Sequence, residues 1–211
     1  MVKTRIVDDA ASARCEPLTS TRSLGACQVA NAPLREWQEA LLEEVLSASH
    51  ANAVHGDDAQ FMMRSNAWLT KETATKLAES PHIPAAVRDA QGRALAWLAS
   101  NQQAPAPNED AVTITGDAGS FLILYPWDLL HVNESLLENM DTEDIRGEVS
   151  EKATIEGTLT LGEHSRILPG VFIEGNVVIG RDCKIGPNCY IRGKTAIGDG
   201  CRIGQAVEIK N

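Results

Sequence analysis

The sequence predicts an α/β domain over residues 1–145 followed by a parallel β-helix over residues 146–211, and three observations carry that division. An aliphatic residue stands at every sixth position from Val149 through Ile155, Leu161, Ile167, Ile173, Ile179, Ile185, Ile191, Ile197 and Ile203 to Ile209. Upstream of that series, apolar runs of strand length alternate with segments of helical period. The change from one pattern to the other falls in the polar stretch from Asp141 to Gly147. A chain of 211 residues is long enough for two modest domains, each with a core of its own.

In the front domain, Ile6-Val7 begins a strand. Asn31-Ala32-Pro33 then starts a helix, with Asn31 as its cap, Pro33 in its first turn and Leu34, Trp37, Leu41, Leu42 and Val45 as its apolar stripe. Further strands are expected at Phe61 to Met63, Ala85 to Val87, Ala94 to Leu98, Val112 to Ile114 and Phe121 to Leu124. Helices are expected from Thr70 to Glu79 and from Trp127 to Met140, and Asn101 to Asp110 reads as a polar loop.

The back domain follows from its period. A helix repeats about every 3.6 residues and a strand about every 2, so neither sets one large aliphatic residue at each sixth position. A chain that turns a corner every six residues does. Each short strand then points one aliphatic side chain inward, three strands complete a coil of eighteen residues, and the series makes about three and a half coils. Four residues beyond each aliphatic comes a small or medium side chain, among them Ala153, Ser165, Cys183, Cys189, Thr195 and Cys201, which suits a second inward site. Glycine often follows the aliphatic, as at Gly162 and Gly186, where a corner needs positive φ or close backbone approach. Cys183, Cys189 and Cys201 are therefore expected to be buried thiols rather than metal ligands. The run ends at Ile209-Lys210-Asn211 without a polar cap, so the expectation is that another chain covers its open edge or that this is a shortened protein.

A formal charge of −10 supplies no basic field, which argues against nucleic acid and anionic membrane as partners. The opening residues, broken by Asp8 and Asp9, do not read as a signal peptide, and the run Phe121 to Trp127 is too short to span a bilayer. The five cysteines then fit reduced thiols, and the expected location is cytoplasmic.

The repeat region resembles the left-handed β-helix of hexapeptide-repeat acyl and acetyl transferases. The resemblance implies left-handed coiling and a homotrimer with active sites between subunits. A second resemblance lies in front. The stretch Arg14-Cys15-Glu16-Pro17-Leu18-Thr19 is similar to the opening motif of sugar-1-phosphate nucleotidyltransferases. It keeps Arg14, Pro17, Leu18 and Thr19 but has Ala10, Ser12 and Ala13 in place of two glycines and a threonine, and Leu24 in place of a lysine. The segment Arg64 to Leu69 resembles that family's metal-binding stretch, with Asn66 where an aspartate would hold Mg²⁺, and a neutral amide is a weaker ligand for a hard cation. Tyr125 to Asn133 resembles the helix that joins the halves of bifunctional, archaeal-type uridyltransferase/acetyltransferases. These similarities imply a reduced nucleotidyltransferase-like domain in which Arg14 and Thr19 remain from the nucleotide site, nucleotidyl transfer is lost and Mg²⁺ is not used. The function they imply lies in amino-sugar nucleotide metabolism, with acetyl-CoA as donor and a sugar phosphate or UDP-sugar as ligand.

Arg192 and Lys210 each follow an inward aliphatic and are eighteen residues apart, which stacks them at one corner of successive coils, about 5 Å apart. An anion between them would relieve their repulsion, and the resemblance gives an Arg and a Lys at these two positions the role of holding the acceptor's phosphate. The alternative is two solvated cations. The family's general base is a histidine on a coil beyond this sequence, and the β-helix holds only His164, about two and a half coils from Lys210, so no catalytic residue is assigned. A non-catalytic sugar-nucleotide-binding or scaffold subunit, assembled with a full-length relative, is the rival reading. His50, His55, Asp57 and Asp58 read as a polar loop around Gly56 more simply than as a metal site. Cys15 and Cys27 have no histidine placed to activate them.

Overall fold

The computed structural model describes residues 2–7, 15–49, 55, 59–100, 107 and 110–210. Two compact units result, one made of Met1–Cys27 with Pro33–Asp128, the other of Gln28–Ala32 with Leu129–Asn211. In chain order the first elements are β1 (Lys3–Val7), a single 3₁₀ turn (Leu24–Ala26), β2 (Gln28–Val29), β3 (Ala32–Pro33), α1 (Leu34–Ala48), β4 (Ala59–Arg64), β5 (Ala67–Trp68), α2 (Lys71–Ala78), β6 (Ala85–Arg88), β7 (Ala94–Ser100), β8 (Val112–Thr115), β9 (Phe121–Leu122) and α3 (Asp128–Glu138).

The first unit is built on a mixed five-stranded sheet in the order β1-β4-β7-β6-β8. β1 runs parallel to β4 and β6 to β8, while β4 and β6 both run antiparallel to β7. Alternation along β4 sends Phe61 and Met63 into one core, with Leu42, Val45 and Leu46 of α1 and Leu77 of α2, and sends Met62 into a second core with Ala86 and Trp97. α1 departs from its expected stripe. Gln38 is fully buried, while Trp37 and Leu41 are only half-buried. The Gln38 amide donates to the carbonyl oxygens of Ser65 at 3.1 Å and Ala67 at 2.8 Å, which makes burial of a polar side chain affordable here. The cap of α1 is Pro33, with no side-chain hydrogen bond, and Asn31 stands outside the helix at φ 66°. The expected cap at Asn31 is therefore corrected. At α2 the cap is Thr70, whose hydroxyl accepts from the backbone N–H of Thr73. Most of the loop expected at Asn101 to Asp110 lies outside the described residues.

The second unit is a β-solenoid of parallel strands. β10 (Asp144–Ile145), β13 (Leu159–Leu161), β16 (Val177–Ile179) and β19 (Thr195–Ile197) form its first sheet. β11 (Glu148–Val149), β14 (Arg166–Ile167), β17 (Lys184–Ile185) and β20 (Arg202–Ile203) form the second, and β12 (Thr154–Glu156), β15 (Phe172–Glu174), β18 (Tyr190–Arg192) and β21 (Glu208–Ile209) the third. The aliphatic series stacks in register: Ile155 on Ile173, Ile191 and Ile209, and Val149 on Ile167, Ile185 and Ile203. These residues line the core together with Leu159, Val171, Val177, Cys183 and Cys189. The solenoid has about four turns, half a coil more than expected, because β10 pairs with β13 through Ile145 and Leu161. That first coil is two residues short of eighteen, and Ile145 stands four residues before Val149, outside the period of six.

Of the three inward cysteines, Cys183 and Cys189 are buried and Cys201, on the last coil, is only partly so, which corrects its expected burial; the thiols of the first two are satisfied locally. Cys183 donates to the Gly198 carbonyl at 3.1 Å and Cys189 to that of Gly204 at 2.8 Å. Gly157 shows why corners demand glycine: its φ is 144°, and a Cβ there would lie 2.2 Å from the Gly175 carbonyl oxygen. α3, from Leu129 on, and the segment Gln28–Ala32 belong to this unit, and they attach to it through asparagines. Asn31 donates to the Ile197 carbonyl at 2.7 Å, Asn133 donates to that of Lys194 at 3.1 Å and accepts from the Ala30 N–H, and Asn176 donates to Leu137 at 2.7 Å. Glu138 on α3 pairs with Lys194 at 3.1 Å. Among the described residues no helix is long and apolar enough to cross a membrane.

Candidate functional site

The third sheet of the solenoid carries the group of side chains with most chemical content. Pairing of β18 with β21 sets Tyr190 beside Glu208 and Ile191 beside Ile209, so Arg192 and Lys210 follow stacked isoleucines on successive coils. The Glu208 carboxylate joins them: one oxygen lies 3.3 Å from Lys210 Nζ and 3.9 Å from Arg192 Nε. All three side chains are between 41% and 56% exposed, so these ion pairs contribute little to stability. The Arg192 Nε is itself out of solvent and makes no hydrogen bond, since 3.9 Å is too long for one.

Beneath this corner, Glu174 is the register partner of Arg192 on the preceding coil. Its carboxylate accepts a hydrogen bond from the Tyr190 hydroxyl, which raises the phenol above its ordinary value, with desolvation adding to the effect. The Arg192 guanidinium carbon lies 5.7 Å from the Tyr190 ring centre, and that ring meets Phe172 edge-on at 5.5 Å. The Tyr190 ring, itself packed edge-on against Phe172, thus lies against the cation, and the Glu208 carboxylate approaches the same cation. Such a surface can bind an anion if Glu208 gives way, and it offers apolar ring surface next to the charge.

The other sequence-selected residues lie elsewhere. Thr19 is half-buried in the first unit, and Arg14 lies outside the described residues. Asn66 is buried, its amide donating weakly to the Ile123 carbonyl at 3.4 Å while the Ile123 N–H donates to the Asn66 backbone oxygen, so it is built into the packing between β5 and β9. His164 is exposed at a corner of the second coil, at φ 61°. His55 is half-buried, while His50, Asp57 and Asp58 lie outside the described residues. Among the described residues no group of three His, Cys, Asp or Glu side chains is placed to hold a metal ion. Cys15 and Cys27 are buried, and desolvation pushes both thiols up, which disfavours a reactive thiolate.

Two concavities fall outside these residues. A groove of about 550 Å³ runs between β1 and α1 in the first unit, with Val2, Ile6, Leu42 and Leu46 as its apolar lining and Arg35, Glu39 and Glu43 among its polar groups. A smaller one of about 330 Å³, bordered by Asp144, Arg146, Glu163 and Arg181, lies on the early coils of the solenoid. The residue that sequence reasoning missed at the corner is Glu208. The period of two along a strand places it on the same outward face as Lys210, and that signal could have found it.

The family described as bacterial transferase hexapeptide (six repeats) matches residues 158–193 and, overlapping them, 176–211. Both spans lie within the solenoid, which is a hexapeptide-repeat β-helix, and the family points to transferase function of the acyl or acetyl type. No curated protein matches the chain.

Proposed function

We propose that the protein is an acyl- or acetyltransferase of amino-sugar nucleotide metabolism, resembling those that use acetyl-CoA and a sugar 1-phosphate. The observation that carries the reading is the hexapeptide-repeat match over residues 158–211, joined by the stacked Arg192 and Lys210 on that same solenoid. In this reading the two cations hold the phosphate of a sugar phosphate or UDP-sugar. The acceptor amine attacks the thioester carbon, a C–N bond forms, the C–S bond breaks, and the amine's proton passes to a base not assigned among these residues. The first unit serves as a reduced nucleotidyltransferase-like domain, without Mg²⁺ chemistry, since Asn66 is a neutral amide engaged with Ile123. The protein works in the cytoplasm as a homotrimer.

The test is thiol release from acetyl-CoA in the presence of glucosamine 1-phosphate, with UTP and a sugar 1-phosphate supplied separately. Acetyl transfer without pyrophosphate release is the expected result. No thiol release with any amino-sugar phosphate would remove the catalytic reading, and UTP-dependent pyrophosphate release would show an active first unit.

A second reading is a non-catalytic sugar-nucleotide-binding or scaffold subunit that assembles with a full-length relative. Binding of a UDP-sugar without thiol release would select it.

A further inference from the structure

We propose that Glu208 sets how strongly the Arg192–Lys210 corner binds an anion, its carboxylate holding the place that an incoming phosphate would take. This rests on the phosphate reading of that corner. A single Glu208 oxygen approaches both cations, at 3.3 Å from Lys210 and 3.9 Å from Arg192. The other nearby carboxylate, Glu174, is occupied by the Tyr190 hydroxyl. Glu208 is therefore the internal counter-ion shared by the pair, and it serves Arg192 poorly: the Nε is hidden from water and still lacks a hydrogen bond. A phosphate has more oxygens than one carboxylate and could bond both cations at hydrogen-bond distance. To do so it must displace Glu208 or accept its repulsion, which at such separations near a protein surface weakens binding by about tenfold or more.

The consequence is selectivity by charge and by number of oxygens. Weak monoanions cannot outcompete a tethered carboxylate, whereas a dianionic phosphate monoester can. Exposure of all three side chains lets Glu208 swing aside without disturbing the solenoid core.

Titration calorimetry with inorganic phosphate at low ionic strength tests this on the full chain, comparing wild type with Glu208→Gln, Glu174→Gln, Arg192→Ala and the double variant Glu208→Gln/Arg192→Ala. We expect Glu208→Gln to tighten binding about tenfold, Glu174→Gln to change it by less than about twofold, and the double variant to lose the gain. Equal tightening by the two glutamine variants would overturn the proposal, since only the general field would then matter. Unchanged affinity in Glu208→Gln, with Arg192→Ala still weakening it, would leave the phosphate site standing and remove Glu208 from it. Absence of phosphate binding in every chain, Glu208→Gln included, would refute the phosphate reading itself. Circular dichroism of each variant guards against unfolding, and Glu208→Ala provides a second removal of the carboxylate.

Discussion

Asn31 donates its side-chain amide to the carbonyl oxygen of Ile197 across 166 residues of sequence, and so ties the segment Gln28–Ala32 to the fourth coil of the solenoid. Asn31 adopts positive φ to make this bond, a conformation that asparagine tolerates better than most residues. Asn31→Ala should therefore lose both a part-buried hydrogen bond and a conformational preference, about 1–2 kcal/mol together. A thermal midpoint lowered by roughly 2–8 °C is the expected reading, and an unchanged midpoint would mean that the segment does not stabilise the solenoid.

Ile191 is fully buried, with Ile173 and Ile209 paired to it on either side. Truncation there removes a methyl-rich side chain from the middle of the stack and leaves a cavity that neighbouring coils cannot close. Ile191→Ala should cost about 2–5 kcal/mol in chemical denaturation. The same change at Ile145, which is 46% exposed at the first coil, should cost far less.

Asp117 tests a different part of the molecule. Burial by itself would raise this carboxyl, but hydrogen bonding, foremost the bond that it accepts from the Thr70 hydroxyl at 2.5 Å, outweighs it and holds the group below its ordinary value. The folded value is thus lower than the unfolded one, so the group's contribution to stability is present above the ordinary carboxylate pKa of about 3.9 and lost as pH falls through the folded value. Asp117→Asn should lower the urea midpoint at neutral pH, and the gap from wild type should shrink below about pH 4. A gap independent of pH would assign the effect to lost packing instead.

The expected assembly is a homotrimer, and the solenoid's faces bear on it. The first sheet contains the half-buried Val178, and α3 of the same chain is bonded to this side of the solenoid through Asn176 and Lys194. The second and third sheets present Arg166, Lys184 and Arg202 on one and Phe172, Glu174 and Tyr190 on the other. Light scattering coupled to size exclusion should give three times the 22.7 kDa chain, and a species of one chain's mass at micromolar concentration would exclude the trimer.

The solenoid was legible because stacking imposes a strict inward position on every strand, and a run such as Ile167, Ile173, Ile179 and Ile185 has no other simple cause. The strand at Ile145 escaped because four residues, not six, separate it from Val149. In the first unit the strands and helices were visible as apolar runs, yet Gln38 could not be picked out as a core residue, since its burial depends on two distant carbonyl groups. Asn31, Asn133 and Asn176 were hidden for the same reason: their partners are backbone oxygens, which leave no trace in side-chain pattern. Arg192 and Lys210 were legible as a stacked pair, whereas Glu208 became significant only when its shared oxygen was seen.

The shortened first coil makes the solenoid a ruler graduated in strands rather than residues. Between Ile145 and Val149 the chain drops two residues from a corner, yet Ile145 still meets Leu161 and Val149 still meets Ile167. Spacing errors are absorbed where the backbone bends, and the rungs on either side keep their phase. Extra sequence spliced into such a bend would hang outside the prism as a loop, so new recognition elements can be grafted there without re-indexing the isoleucines beneath.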